Sequence, residues 1–392
     1  MLQAQVTESK SQSKSLREPE REPELSLSLT ITVKSFTNIN FNFTGVIPLD
    51  LLACLKILIK LRYFTQTQYN EAMKQVNYKG HDKPEPLDTK LTKMKGKALS
   101  HFSHIRNTGL IMKHLRVKEE MFQEPSYKLI HQLMLLTEKL MSPRLRIYEV
   151  LELEDQITSY LELRSSIKNE HSSILKTMKP KHHFLLHYPE QIMKMGPPVG
   201  VWTARYESKN RLPKMYCHAA KNFKNPAYTV AWRQQFRASV VFYKGMFKEK
   251  IELPLVTKRK IDLIIGKQSP LISTVIEKIS SEDLVTDSVE VNGQNYKVED
   301  VVVLKVHNSD FIEVGIILQI LIKKERVFFI VNKYRAIRDE VLNFFETLNY
   351  DDESFHSVNV DDLEDAKPLV KNGVYEKFRF TLHHHLSVST KS

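Results

Sequence analysis

Cysteine is nearly missing from this chain: Cys54 and Cys217 are the only two, and they lie far apart in sequence. Two such cysteines make no disulfide framework and are too few for a cysteine-based zinc module. They point to a reducing compartment. Glycine is also scarce, with 11 in 392 residues. No P-loop and no dinucleotide-binding fingerprint is present, which argues against a nucleotide-binding α/β enzyme. Long apolar runs are lacking as well. The first residues, MLQAQVTESKSQSKSLREPEREPE, contain no apolar signal core. The most apolar stretch, VIPLDLLACLKILIKLRYF at 46–64, carries Asp50, Lys56, Lys60 and Arg62. It reads as an amphipathic helix rather than a membrane span. The expectation is a soluble, intracellular chain with no membrane partner.

What remains is enough to fold. Hydrophobic residues make up 42% of the chain, which excludes a wholly disordered polymer. The length suggests two or three domains. Charge is unevenly placed. Residues 176–250 hold 15 Lys/Arg against 3 Asp/Glu, an excess of 12 that equals the net charge of the whole chain. Residues 251–392 hold 18 against 23 and are acidic. Aromatic residues interleave with the cations of the basic segment: Tyr188, Trp202, Tyr206, Tyr216, Phe223, Tyr228, Trp232 and Phe236. Cations meet phosphates and flat rings stack on bases, so this composition suits nucleic acid. A solvated basic surface over an aromatic core would have the same composition.

Residues 1–44 form a Ser/Glu/Pro-rich leader, mostly disordered by composition, in which LSLSLTITV at 25–33 alternates like a strand. Helical spacing follows in LDLLACLKILIKLRYF, in TKMKGKALSHFSHIRNTGLIMKHL, in SYKLIHQLMLLTEKLMS with Ser126 as its cap, and in a long segment from Arg146 to Met178. Pro180 and Pro189 bracket a short helix, and helical spacing returns at 229–245. Beyond about 253 the texture changes to short β-branched runs, with hairpin turns at Asn292-Gly293 and at Lys323-Lys324-Glu325. The expected class is therefore α+β. A mainly helical module at 45–250 precedes a small antiparallel, barrel-like β domain at 268–387, with a tail at 388–392. The His383-His384-His385 run fits a strand end.

The string KPKHHFLLHYPEQIMKMGPPVGVWTARYESKNRLPK at 179–214 carries a resemblance. Its Pro180, Lys181, His182, His183, Leu186, His187, Tyr188, Pro189, Gly196, Pro197, Trp202, Arg205, Tyr206, Glu207 and Lys209 resemble the domain that follows the catalytic core in CACTA/EnSpm-type transposases and their animal relatives. Asn222–Asn225, MKGKALSHF at 94–102 and the C-terminal YEKFRFTLHHH resemble further blocks of such proteins. The resemblance implies a transposon-derived chain and a nuclear site of action, or otherwise a cytoplasmic one. It also makes Glu207 the candidate catalytic acid. The competing reading of Glu207 is a structural carboxylate paired with Arg205 or Lys209.

A DDE-type recombinase needs three carboxylates around two divalent ions. Its strand-borne aspartates have no counterpart here, because Asp50, Asp82, Asp88 and Asp155 fall in helices or loops. The expected reading is non-catalytic, with no cofactor; Mg²⁺ enters only if the chain serves an active recombinase. The family pattern is also altered, with Asn210 in place of a histidine and Pro213 in place of an aromatic. A proline there is expected to disturb a helix. The nucleic-acid-binding candidates are Lys181, Arg205, Lys209, Arg211, Lys214, Lys221, Lys224 and Arg233. His183 and His187, four apart, are the weak candidates for a metal, with Cys217, His218 or Glu207 as a third ligand. DNA and a protein are the possible partners. The alternatives are a recombinase subunit whose missing acids come from another chain, and a protein-interaction module without a nucleic-acid role.

Overall fold

The computed structural model describes residues 45–79, 83–200, 204–221, 224–243, 251–252, 259–260, 284–323, 326–348, 355–373 and 377–387. Of residues 204–210, 252, 259–260 and 355 it describes the backbone alone. The strand-like run at 25–33 lies outside the described residues, as do Asp82 and Trp202. The α+β expectation holds: helices fill the N-terminal and central part, and a curled antiparallel sheet forms a half-barrel at the C-terminus.

The helices are α1 (Ile47–Lys60), α2 (Gln66–Gln75), α3 (Ala98–Leu115), α4 (Pro125–Leu140), α5 (Ile147–Glu170), α6 (Pro180–Leu185), α7 (Tyr188–Met195), α8 (Ala204–Ala220) and α9 (Pro226–Tyr243). Helix α1 is more deeply placed than its charges suggest. Leu51, Leu52, Cys54, Leu55, Ile57 and Leu58 are all buried, and so is Asp50. Helix α2 has a polar sequence that apolar spacing does not reveal. It is fixed by a reciprocal cap, in which the Thr65 hydroxyl accepts from the Gln68 N–H and the Gln68 side chain accepts from the Thr65 N–H.

Two boundaries differ from expectation. Helix α4 begins at Pro125, with Glu124 extended before it, and Ser126 is buried inside the first turn rather than capping it. Proline at the first helical position needs no N–H bond and has its φ preset, so it sets the start. Helix α5 stops at Glu170 instead of running to Met178. His171, Ser172 and Ser173 are weak helix formers, and the chain turns there before Leu175 returns to the core.

The strands are β1 (Ile251–Glu252), β2 (Arg259–Lys260), β3 (Leu284–Thr286), β4 (Ser288–Val291), β5 (Gln294–Lys297), β6 (Val301–Val306), β7 (Phe311–Lys323), β8 (Arg326–Asp339), β9 (Phe344–Thr347), β10 (Phe355–Asn359), β11 (Asp365–Leu369), β12 (Asn372–Gly373) and β13 (Phe378–Phe380). Asn292 and Gly293 both have positive φ, 51° and 76°, and join β4 to β5 as a tight hairpin. The pairing Lys323↔Arg326 closes the second expected hairpin, between β7 and β8. These long strands serve two neighbours each. The first half of β7 pairs with β6 and its last turn with β3, across a register shift between Ile317 and Gln319. Likewise β8 gives its first half to β10 and its end to β9. The shift bends the hairpin, which curls the sheet.

Helices and sheet share one seam. The β8–β9 turn reaches into the helical core, where Leu342 and Phe344 belong to the same apolar cluster as Leu110, Ile130 and Leu133. Arg338 pairs with Glu138 at 2.6 Å, the Asn343 amide donates to Glu138 at 3.1 Å, and the Tyr127 hydroxyl donates to the Val341 carbonyl at 2.8 Å. Helix α3 comes so close to this turn that only glycine fits at position 109.

The triple-histidine run follows β13 and lies in the same seam. Arg106 donates to His383 Nδ1 at 2.5 Å, and His385 meets Glu149 at 2.8 Å. Burial and the Arg106 guanidinium push His383 down to about 3, and burial and the Lys367 ammonium bring His384 to about 4. Burial in α3 also takes His104 down to about 3. An unfolded histidine titrates near 6.5, so on acidification the unfolded chain takes up protons first. The stability from these neutral histidines is complete above about pH 6.5 and is lost as pH falls toward 4 and 3. Urea unfolding at pH 5 is expected to show roughly 2 kcal/mol less stability per histidine than at pH 7. Replacing His384 by Asn should flatten that slope, whereas equal stability at the two pH values would contradict the assignment.

Candidate nucleic-acid interface

The basic segment carries α6 and α7 and then a hairpin of two helices, α8 and α9, packed on each other. The inner side of α8 is formed by Leu212, Pro213, Tyr216, Cys217 and Ala220, all half-buried. Pro213 therefore sits inside a helix that continues past it, contrary to the expected disturbance. The bond it forfeits is the one to the carbonyl at 209, a cost of about 3 kcal/mol in an exposed helix, and the turns on either side carry α8 through. Arg211, Lys214, Met215 and His218 make the outer side, at spacings of three and four, with Lys221 just beyond the helix end. Arg205, Glu207 and Lys209 lie on the first turns of α8, and their side chains are outside the described residues.

Helix α9 has 18 residues, and none of them is buried. Asn225 starts it by accepting from the Tyr228 N–H at 3.1 Å. Thr229, Val230, Arg233, Val240 and Val241 are half-buried on the side toward α8. Arg233 lies over the Tyr216 ring at 5.7 Å, a contact that ties the two helices together. Beside that side runs an open aromatic row: Tyr228, Trp232 and Phe236 are 67%, 57% and 62% exposed. Trp232 and Phe236 lie nearly parallel, 7° apart in plane with centroids 5.8 Å apart. Of the candidate cations, Arg211, Lys214, Lys221, Lys224 and Arg233 share this hairpin, while Lys181 lies on α6 near Gly45.

His183 and His187 stand on α6 and at the start of α7, exposed, with their Nε2 atoms 3.3 Å apart. Among the described residues no group of three His, Cys, Asp or Glu side chains is placed to hold a metal ion. Asp88 lies in a loop and Asp155 on α5.

Asp50 holds the polar centre that reading the sequence alone missed. Its Oδ2 accepts from the Tyr160 hydroxyl at 2.5 Å, from Arg164 Nε at 2.9 Å and from His182 Nε2 at 3.0 Å. The Lys179 N–H reaches His182 Nδ1 at 3.0 Å, which leaves Nε2 as the donor to Asp50. Arg164 also donates to the Lys176 carbonyl at 3.1 Å. Burial raises the Asp50 carboxyl, but the hydrogen bonds from His182 and Arg164, with the charge of Arg164, outweigh it and hold the carboxyl below its usual range. Burial pushes the neighbouring Cys54 thiol well up. All four polar side chains of this centre are buried. It pins α1, α5 and α6 together and offers no open face for a substrate. His182, Leu185 and Tyr188, all from the string with the transposase resemblance, are buried alongside it.

No helix among the described residues is long and apolar enough to cross a membrane. No family model, curated protein or solved structure matches the chain.

Proposed function

We propose that this chain is a transposon-derived, non-catalytic protein that binds nucleic acid through the α8–α9 hairpin and acts in the nucleus. The observation that carries the reading is the pairing of exposed cations with exposed rings on one small element. Phosphates answer the cations and bases answer the rings. The family resemblance of the surrounding residues supports a DNA-related ancestry. The closed environment of Asp50 supports the non-catalytic part, since the Oδ2 of this buried acid is already held by three structural partners.

Charge reversal tests the reading. The Arg211→Glu, Lys214→Glu, Lys221→Glu triple variant changes only exposed positions and should keep its fold. Its affinity for nucleic acid in a gel-shift series at low salt is expected to fall at least about tenfold, with a shallower salt dependence. An unchanged affinity would remove the hairpin from the interface.

A further inference from the structure

We infer that the hairpin's ligand is single-stranded nucleic acid, recognised by base stacking on the aromatic row of α9; this rests on the nucleic-acid reading above. A duplex keeps its base faces inside the stack and shows a protein only base edges and phosphates. Cations alone serve such a ligand. Flat rings held open to water have no counterpart on it. A single strand offers base faces together with phosphates, and helices or grooves that bind it combine the two features.

The geometry of α9 fits that demand. Tyr228, Trp232 and Phe236 recur every four residues, so they follow one another up one side of the helix. Each step rises ~6 Å along the axis, which makes the row a ladder rather than one contact. Trp232 and Phe236 stack on one another, 7° apart in plane, and form one exposed flat unit against which a base can stack. Tyr216, in contrast, is half-buried and already covered by Arg233, so it belongs to the hairpin's own packing. Arg211 and Lys214 on α8, with Lys221 just beyond its end, then neutralise the backbone of a strand lying along the hairpin. No base-edge hydrogen bonding is needed, so sequence preference is weak.

Two tryptophans occur in the chain. A full-length Trp202→Phe variant therefore leaves Trp232 as the sole tryptophan reporter. The probes are oligo-dT, oligo-rU and a mixed-sequence duplex of equal length. Quenching of Trp232 emission by the single strands and little quenching by the duplex is expected, and the two single-stranded probes separate DNA from RNA. The Trp232→Ala, Phe236→Ala variant, altered at exposed positions, should lose at least about tenfold in oligo-dT affinity while keeping the salt slope set by the cations. Equal or stronger duplex binding, or an undiminished oligo-dT affinity of that variant, would overturn the inference and leave nucleic-acid binding itself standing. Binding to none of the three probes would overturn the proposed function as well. A concentration-dependent blue shift of Trp232 without any nucleic acid would overturn the inference in favour of a second copy of this chain.

Discussion

Replacing Asp50 by Ala is expected to destabilise the protein by about 3–5 kcal/mol, the range for breaking a buried ion pair by removing one partner. The reason lies in what stays behind. Arg164 is 2% exposed and would keep its charge with no carboxylate against it. The Tyr160 hydroxyl and His182 Nε2 would lose their acceptor at the same time. Each buried donor left unmade costs about 1–3 kcal/mol more than an exposed one. A second variant separates lost charge pairing from lost shape. Because well-packed apolar side chains often replace a buried pair without loss, Asp50→Ala with Arg164→Met should be more stable than Asp50→Ala alone. Urea unfolding of both variants measures this. A loss below about 1 kcal/mol for Asp50→Ala would mean that the pair behaves like a surface bridge and that the centre is open to water.

The second large effect has a sign that helix propensity reverses. Alanine at position 109, inside α3, ought to stabilise a helix by about 1 kcal/mol relative to glycine. Here the added Cβ would fall 2.7 Å from the Leu342 carbonyl carbon and nearer still to its oxygen. That oxygen belongs to the backbone of the β8–β9 turn, where Asp339 Oδ1 accepts from the Val341 and Leu342 N–H groups and Asn343 sits at φ 55°. A turn so fixed cannot yield as a side-chain tip would. Either α3 or the turn must shift, breaking the Glu138 contacts to Arg338 and Asn343. Gly109→Ala is expected to cost about 3 kcal/mol, the upper range for overpacking, with a falling Tm in calorimetry. A rise in Tm would show that the seam yields to a methyl group.

Much of this architecture is legible in the sequence, where a local rule applies. Asn292-Gly293 specifies its hairpin because both residues tolerate positive φ. Apolar spacing finds α1, α3, α4 and α5 because each packs one side or more into a core. It passes over α2, whose helix depends on the Thr65–Gln68 cap and a few anchors such as Tyr69. It passes over α8 as well, since an exposed helix containing Pro213 has almost no apolar stripe to read. The Asp50 centre joins residues 110 to 132 positions apart, and no local pattern encodes that. An acid set among the leucines of α1 is the available signal, because a charge is buried only with a partner. The basic-aromatic segment was visible as composition. What composition does not tell is which rings pack and which face water: Tyr188 is buried, Tyr216 is covered by Arg233, and Trp232 and Phe236 are exposed and stacked on one another.

The measurement that bears most directly on the central claim is the affinity of the intact chain for an unstructured oligonucleotide as a function of salt. Binding through the hairpin's cations releases counterions. The logarithm of the association constant should then fall linearly with the logarithm of salt concentration, with a slope of about −0.7 per phosphate neutralised on a single strand. The triple Arg211, Lys214, Lys221 reversal should remove about three such contacts and roughly 2 units of slope. A flat salt profile, or a slope that the triple variant leaves unchanged, would contradict a nucleic-acid role for α8 and α9.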